Sequence, residues 1–272
     1  MRQIVAKHQF FSPLFAAIFL VLATTIVASS FTAAIQSQPS KTQRDPRQME
    51  SEVAQWSERL RSGNEEERRE AAMELSNLKS SGAVSLLASL LNDGSPRVRA
   101  AAAAALAGQP EESSVPVLAA CLAKEENAFV RKTAVYALGG FRGPERTAAV
   151  IASLKDRDLE VRGAAAVSLG DHPDASAIAA LTIALSDKSA FVRARAARAL
   201  GVNGSSAGSA VTNLIRLLAS DEESEVKRQA AAALGLIGDR SALSALERAR
   251  NSRDPYLVDA AIEAIRMIES KH

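Results

Sequence analysis

Hydrophobic positions recur along this chain in a helical rhythm. In FVRARAARALG, Val192, Ala196, Ala199 and Leu200 are spaced i, i+4, i+7 and i+8. On a helix of 3.6 residues per turn they form one apolar stripe, so the segment is predicted to bury one face. Similar words begin at Val98, Val130, Val161 and Val226, with weaker copies at Glu67 and Leu257. The steps between the start points 67, 98, 130, 161, 192, 226 and 257 are 31, 32, 31, 31, 34 and 31. A near-constant period of this size signals a repeat architecture, and it governs how every local motif is read. Gly139, Gly170, Gly201 and Gly235 close their words and are expected to end helices, since glycine accepts the left-handed conformation past a helix terminus.

A second apolar segment precedes each of the later words: 83–91, 115–123, 147–154, 176–185, 210–219 and 242–249. Ser95 with Pro96 and Asp254 with Pro255 mark helix starts, a capping side chain followed by proline in the first turn. Pro116 and Pro144 are read the same way for first helices. The unit is then an antiparallel helical hairpin that must stack on its neighbours to bury its faces. Val53, Trp56 and Leu60 share one face of a capping helix at the front, which brings the count to about seven hairpins and the fold class to all-α.

The polar positions are as regular as the apolar ones. An acid stands six residues before a base in five units: Asp93 and Arg99, Glu125 and Arg131, Asp156 and Arg162, Asp187 and Arg193, Asp221 and Lys227. The terminal units have Ser62 before Arg68 and Ser252 before Val258. An acid in the inter-helix turn and a base at the start of the second helix predict a ladder between adjacent hairpins. That reading explains both the spacing and its loss at the ends, which a phosphate-binding role for the arginines does not.

Charge supports this conclusion. The 272 residues carry a net +2, but five basic residues and one acid precede residue 49, leaving 28 basic against 30 acidic. Nucleic-acid binding dominated by phosphate contacts needs an excess of Lys and Arg, and the repeats have none. The aromatic content of 4% with abundant alanine fits thin, closely packed helical layers.

The first fifty residues differ from the rest. MRQIVAKHQ is positive, FFSPLFAAIFLVLATTIVA is apolar, and small residues follow, the order found in export signals. Residues 1–35 are expected to be a cleaved signal peptide or an uncleaved single membrane anchor, 36–48 a flexible linker, and 49–272 the folded repeats. Either fate predicts an extracytoplasmic location, in a bacterial periplasm or cell envelope.

The acid-(five residues)-Arg spacing and the Val-Arg-x-x-Ala-Ala-x-Ala-Leu-Gly words resemble the HEAT repeat family, particularly its phycobilisome-lyase-type variety. The resemblance covers roughly residues 49–270. It implies a HEAT-like solenoid, a right-handed α-α superhelix whose second helices line a concave surface. Relatives of this type include bilin lyases and an iron hydroxylase whose metals are held by repeated His-Glu pairs. Here the histidines are His8, His172 and His272, with no His-Glu dipeptide, and one histidine within the repeats cannot assemble such a site.

Other chemistry is sparse. His172, before Pro173, reads as a turn residue, and the lone Cys121 as a packing thiol. No glycine-rich phosphate loop or nucleophile elbow occurs. The sequence therefore nominates no catalytic, cofactor-binding or metal-ligating residue, no small-molecule substrate and no nucleic acid. Positions two, three and six residues into the second helices remain, with Lys132, Tyr136, Val167, Arg195, Arg198 and Arg228 expected to form a face for an acidic or extended protein segment. The expected function is a non-catalytic interaction scaffold; the alternative is a lyase-like or chaperone-like accessory acting on a cofactor-bearing client.

Overall fold

The computed structural model describes residues 46–271, and Met49–His272 is one compact unit. The expected leader (1–35) and most of the expected linker lie outside the described residues. Helix α1 (Pro46–Arg59) begins three residues before the expected start of the folded part.

Seven hairpins follow one another. They are α1 and α2 (Glu65–Leu75), α3 (Ser81–Leu90) and α4 (Pro96–Leu106), α5 (Glu111–Lys124) and α6 (Ala128–Gly139), and α7 (Pro144–Ser153) and α8 (Leu159–Asp171). The last three are α9 (Ile178–Ala184) and α10 (Ala190–Val202), α11 (Val211–Ser220) and α12 (Ser224–Ile237), and α13 (Leu243–Ala249) and α14 (Pro255–Ser270). No strand occurs among the described residues. Nor is any described helix long and apolar enough to cross a membrane.

The second helices α2, α4, α6, α8, α10, α12 and α14 pack each on the next in one continuous layer, and the first helices lie against them as the other. Alanine makes this possible. Ala102, Ala103, Ala134, Ala165, Ala196, Ala197, Ala230 and Ala231 are fully buried, and their short side chains let helix axes approach to about 8 Å, the low end of the usual range. Leucines at one position per repeat, Leu75, Leu106, Leu138, Leu169, Leu200 and Leu234, fill the space between the layers with no exposure. Trp56 is half-buried against this core and lies under the Arg59 guanidinium at 5.2 Å.

The glycines do different work from that expected. Gly170, Gly201 and Gly235 lie inside α8, α10 and α12, each of which continues past its glycine. They mark close approach of neighbouring second helices. A Cβ at Gly201 would sit 2.9 Å from Ala233 Cα, and one at Gly235 only 2.6 Å from Ala264 Cα. Gly139 is the last residue of α6, as expected, but without a positive φ; the glycine that ends a helix in the left-handed conformation is Gly238, with φ +83° after α12. Pro116 also departs from expectation: α5 starts at Glu111 and carries the proline in its interior.

Two side chains outside the repeated word secure the C-terminal edge of the second-helix layer. Gln109, 5% exposed, donates from Nε2 to the Leu75 and Ser76 carbonyls at 3.0 and 3.1 Å. Arg146, 1% exposed, donates to the carbonyls of Leu138, at 3.1 Å, and Ser168. Burial pushes the Arg146 guanidinium below its usual pKa, while Asp171 and Asp174 oppose the shift. A cation placed against helix C-terminal carbonyls is stabilised by their partial negative charge.

Candidate interaction face

The N-terminal edge of the second-helix layer is closed by ions. Each ladder arginine reaches forward to the acid of the following hairpin, in two parallel bonds. Nε and Nη2 of Arg131 lie 2.7 and 2.8 Å from Asp156, those of Arg162 2.7 and 2.9 Å from Asp187, and those of Arg193 2.7 and 2.8 Å from Asp221. Arg99 does the same to Glu125, and Arg68 of the first unit to Asp93.

The six-residue spacing has its own geometric cause. The remaining Nη1 of each arginine turns back to its own turn and donates to the acid's main-chain carbonyl, at 2.8 Å for Arg99 on Asp93 and 2.9 Å for Arg162 on Asp156. Arg68 finds the same carbonyl at Ser62, 2.9 Å away. Each carboxylate meanwhile accepts from the amide two residues on, as Asp187 does from Ser189 at 2.8 Å. The acid thus holds its turn, and the arginine ties that turn to the next.

Burial by itself pushes the carboxyls of Glu125, Asp156, Asp187 and Asp221 up. The arginine and backbone hydrogen bonds more than reverse this and hold all four below the usual carboxylate range. At Asp93 the Arg68 hydrogen bond is the largest influence, in the same direction.

Lys227 stands at the sixth arginine position but makes no ion pair within 4.0 Å among the described residues. Arg228 bridges to Asp254 at 2.8 Å in its place, pairs with Glu225 at 2.8 Å, and lies over the Tyr256 ring at 5.7 Å. A short lysine stem offers one point charge where the arginine fork reaches two oxygens and a carbonyl. The expected face residue Arg228 is therefore engaged within the stack.

The other expected face residues divide. Lys132, half-buried, has Glu160 of the next hairpin 3.9 Å away. Tyr136 is 51% exposed. Arg195 stacks on Phe191 at 5.0 Å, and with Arg198 and Val167 it lines a shallow depression that Asp171 and Val202 complete. Arg195 and Arg198 also border a second hollow of about 270 Å³, beside Phe191, Glu223, Glu225 and Gln229. Neither arginine forms an ion pair among the described residues.

At three junctions along this face the neighbouring helices are matched in size or charge. There the residue before a second helix's first apolar position lies against the residue two past that position on the preceding helix. Phe191 covers Gly163 so closely that a Cβ there would be 2.1 Å from the ring, Glu160 faces Lys132, and Tyr256 faces Arg228.

A hollow larger than these was not foreseen. A groove of about 850 Å³ runs over α4, between Met73 of α2 and Phe129 of α6, floored by Ala100, Ala101, Ala104 and Ala105. In the sequence this stretch is a featureless run of alanine. The available signal was relative: bulky Met73 and Tyr136 stand one repeat either side of Ala104, at the same register.

Cys121 is half-buried, and burial pushes its thiol up to about 11, so it is held as thiol rather than nucleophilic thiolate at neutral pH. His172 follows α8, with Nδ1 buried and unbonded. Among the described residues no group of three or more His, Cys, Asp or Glu is arranged to hold a metal ion.

The chain is similar to proteins of known structure. An engineered protein of known structure is similar at 26% identity over 80% of this chain and 68% of its own, with a TM-score of 0.53. The complex of CpcE and CpcF of phycocyanin lyase from Nostoc sp. PCC7120 is similar at 22% identity, covering 86% of this chain and 98% of that one, with a TM-score of 0.48. Human deoxyhypusine hydroxylase is similar at 21% identity, covering 92% and 99%, with a TM-score of 0.41. No curated protein sequence matches significantly. The sequence profile of HEAT repeats matches residues 53–139, 124–201 and 178–266, which with the ladder and the stacked hairpins shows that this chain belongs to the HEAT repeat family, whose repeats generally mediate protein–protein interaction.

Proposed function

We propose that this chain is a non-catalytic scaffold of the cell envelope that binds a protein partner on the face of its second helices. One observation carries the reading. Of the ten large apolar residues that remain exposed among the described residues, nine lie on second helices, among them Met73, Phe129, Tyr136, Phe191, Val202, Leu236 and Tyr256; the tenth, Ile183, lies on a first helix. Apolar residues gathered on one face beyond what packing requires mark an interaction surface. Arg195 and Arg198, free of ion pairs among the described residues, add a residue type enriched at binding hot spots. Burial raises the Cys121 thiol, which argues against a nucleophilic role for that side chain. For the envelope location, the support is the charge and hydropathy order of residues 1–35.

A photo-crosslinking amino acid placed in turn at Tyr136, Arg198 and Ile183 of the full chain, expressed in its native host, tests the face. Covalent adducts are expected from the first two positions and not from Ile183. Adducts from Ile183 alone would overturn the assignment. Deleting residues 2–35 is expected to leave the protein in the cytoplasm on fractionation; unchanged distribution would remove the envelope reading.

A further inference from the structure

The groove over α4 carries a more specific reading, which rests on the second-helix face being the binding face. Its walls are apolar and open to solvent, with Met73 53% and Phe129 55% exposed, and its floor is alanine throughout. Its two ends carry opposite charges. Arg97 stands at the α4 N-terminal end and Glu74 toward the α2 C-terminal end, and neither side chain has an ion pair or hydrogen bond among the described residues. On the same rim Arg69 and Glu66 pair with each other, and the Arg97 charge also acts on Glu66 from beyond ion-pair distance. So the groove presents an apolar trough along a helix axis with one cation and one anion outside any ion pair at opposite ends.

We infer that this groove seats an amphipathic helix of a partner protein, lying along α4. Its bulky apolar side chains enter between Met73 and Phe129, a carboxylate meets Arg97, and an ammonium or guanidinium meets Glu74. The alanine floor allows a second helix to approach α4 as closely as the neighbours within the stack do, about 8–10 Å between axes. Helix-in-groove recognition requires apolar anchors at i, i+3, i+4 and i+7. An acid and a base about seven residues apart lie on one side of such a helix, roughly 10 Å along its axis, a span that long side chains can adapt to the two ends. An extended segment would alternate its side chains and present only every second one to the trough.

The test uses synthetic 18-residue helical peptides with a leucine stripe at that spacing, titrated against the whole protein by fluorescence anisotropy. One carries Glu and Lys seven residues apart beside the stripe; companions carry Glu and Glu, or Lys and Lys; a fourth carries a central proline. The Glu/Lys peptide is expected to bind about tenfold more tightly than the others, the scale of one well-placed charge pair. Ala104→Trp, on an exposed floor position, is expected to abolish binding while the protein keeps its thermal unfolding midpoint. Arg97→Glu is expected to weaken the Glu/Lys peptide and tighten the Lys/Lys peptide, an exchange that general damage cannot produce. Equal binding of the proline peptide, no charge preference, or indifference to Ala104→Trp would each overturn the proposal. If crosslinks persist at Tyr136 and Arg198 while the peptides fail, only the groove assignment falls; if both fail, the face assignment falls with it.

Discussion

Arg193 and Arg195 are two residues apart on α10 and lead opposite lives. Arg193 gives all three guanidinium nitrogens to the stack, two to Asp221 and one to the Asp187 and Lys188 carbonyls. Arg195 turns about 200° away round the helix and rests on Phe191 with no carboxylate bound. One word of sequence therefore contains an arginine that holds the solenoid together and one that the fold leaves free. The same division separates Arg131 and Arg162 from Arg198, and it predicts which substitutions will be felt by the fold and which by a partner.

The largest expected effect is at the ladder. Arg162→Ala leaves Asp187 without its partner where 12% of that side chain is exposed. Breaking such a pair by removing one member costs about 3–5 kcal/mol, because the remaining charge stays desolvated. Arg198→Ala, exposed and free of ion pairs, is expected to stay within about 0.5 kcal/mol of the parent. Denaturant midpoints compare the two; equal losses would erase the distinction between the arginines.

A packing change comes next. Gly235→Ala puts a methyl 2.6 Å from the Ala264 backbone, where the neighbour is main chain and cannot swing aside. Overpacking of this kind costs about 1–3 kcal/mol. Gly94→Ala, in a turn with nothing within 4 Å, is the matched control. Were Gly235 a helix terminator, the two replacements would not divide in this way.

These two predictions show what the sequence could and could not convey. The period, the hairpins and the ladder's members are written in local spacing, so they are legible. Which acid each arginine grips is not, because the partner 25 to 28 residues ahead is set by stacking; the six-residue spacing records only the bond to the turn carbonyl. Gly201 and Gly235 were misread because a terminating glycine and a close-approach glycine give the same signal. Arg146 and Gln109 stand outside the repeated word, and only the fold brings them under helix ends. The α4 groove hides because a hollow is a difference between neighbouring repeats, and Ala104 shows it only against Met73 and Tyr136.

The acid limb of stability follows from the same ladder. Glu125, Asp156, Asp187 and Asp221 titrate lower folded than unfolded, so below about pH 4–5 the unfolded chain takes up more protons. The ladder's contribution is complete above that range and is lost progressively as pH falls through it. Arg162→Ala removes the arginine bonds that lower the Asp187 carboxyl, so that variant gains less stability than the parent as pH rises through the carboxylate range, and its deficit should be largest near neutral pH and narrow as pH falls. Denaturant midpoints of parent and variant at a series of pH values check the direction; a deficit that widens on acidification would contradict it.

The smallest effect is the most discriminating. By register Lys227 is the ladder's sixth base, yet it is Arg228 that reaches Asp254 and covers Tyr256. Both side chains are partly exposed, so neither change should be severe. Arg228→Ala is expected to cost up to about 1 kcal/mol, the range for exposed ion pairs, and Lys227→Ala less than about 0.5 kcal/mol. A double cycle of Arg228→Ala with Asp254→Asn isolates the bridge, since Asn keeps the capping oxygen that accepts from Tyr256 at 3.0 Å. If Lys227→Ala proved the costlier change, the register would outrank the geometry and the sixth rung would belong to lysine. The expected order instead makes the last junction weaker than those before it, because a bridge from one position further round the helix gives Asp254 one bond where Asp221 receives two. Opening of the stack should then begin at α13 and α14, seen as faster amide exchange there than in α8 and α10.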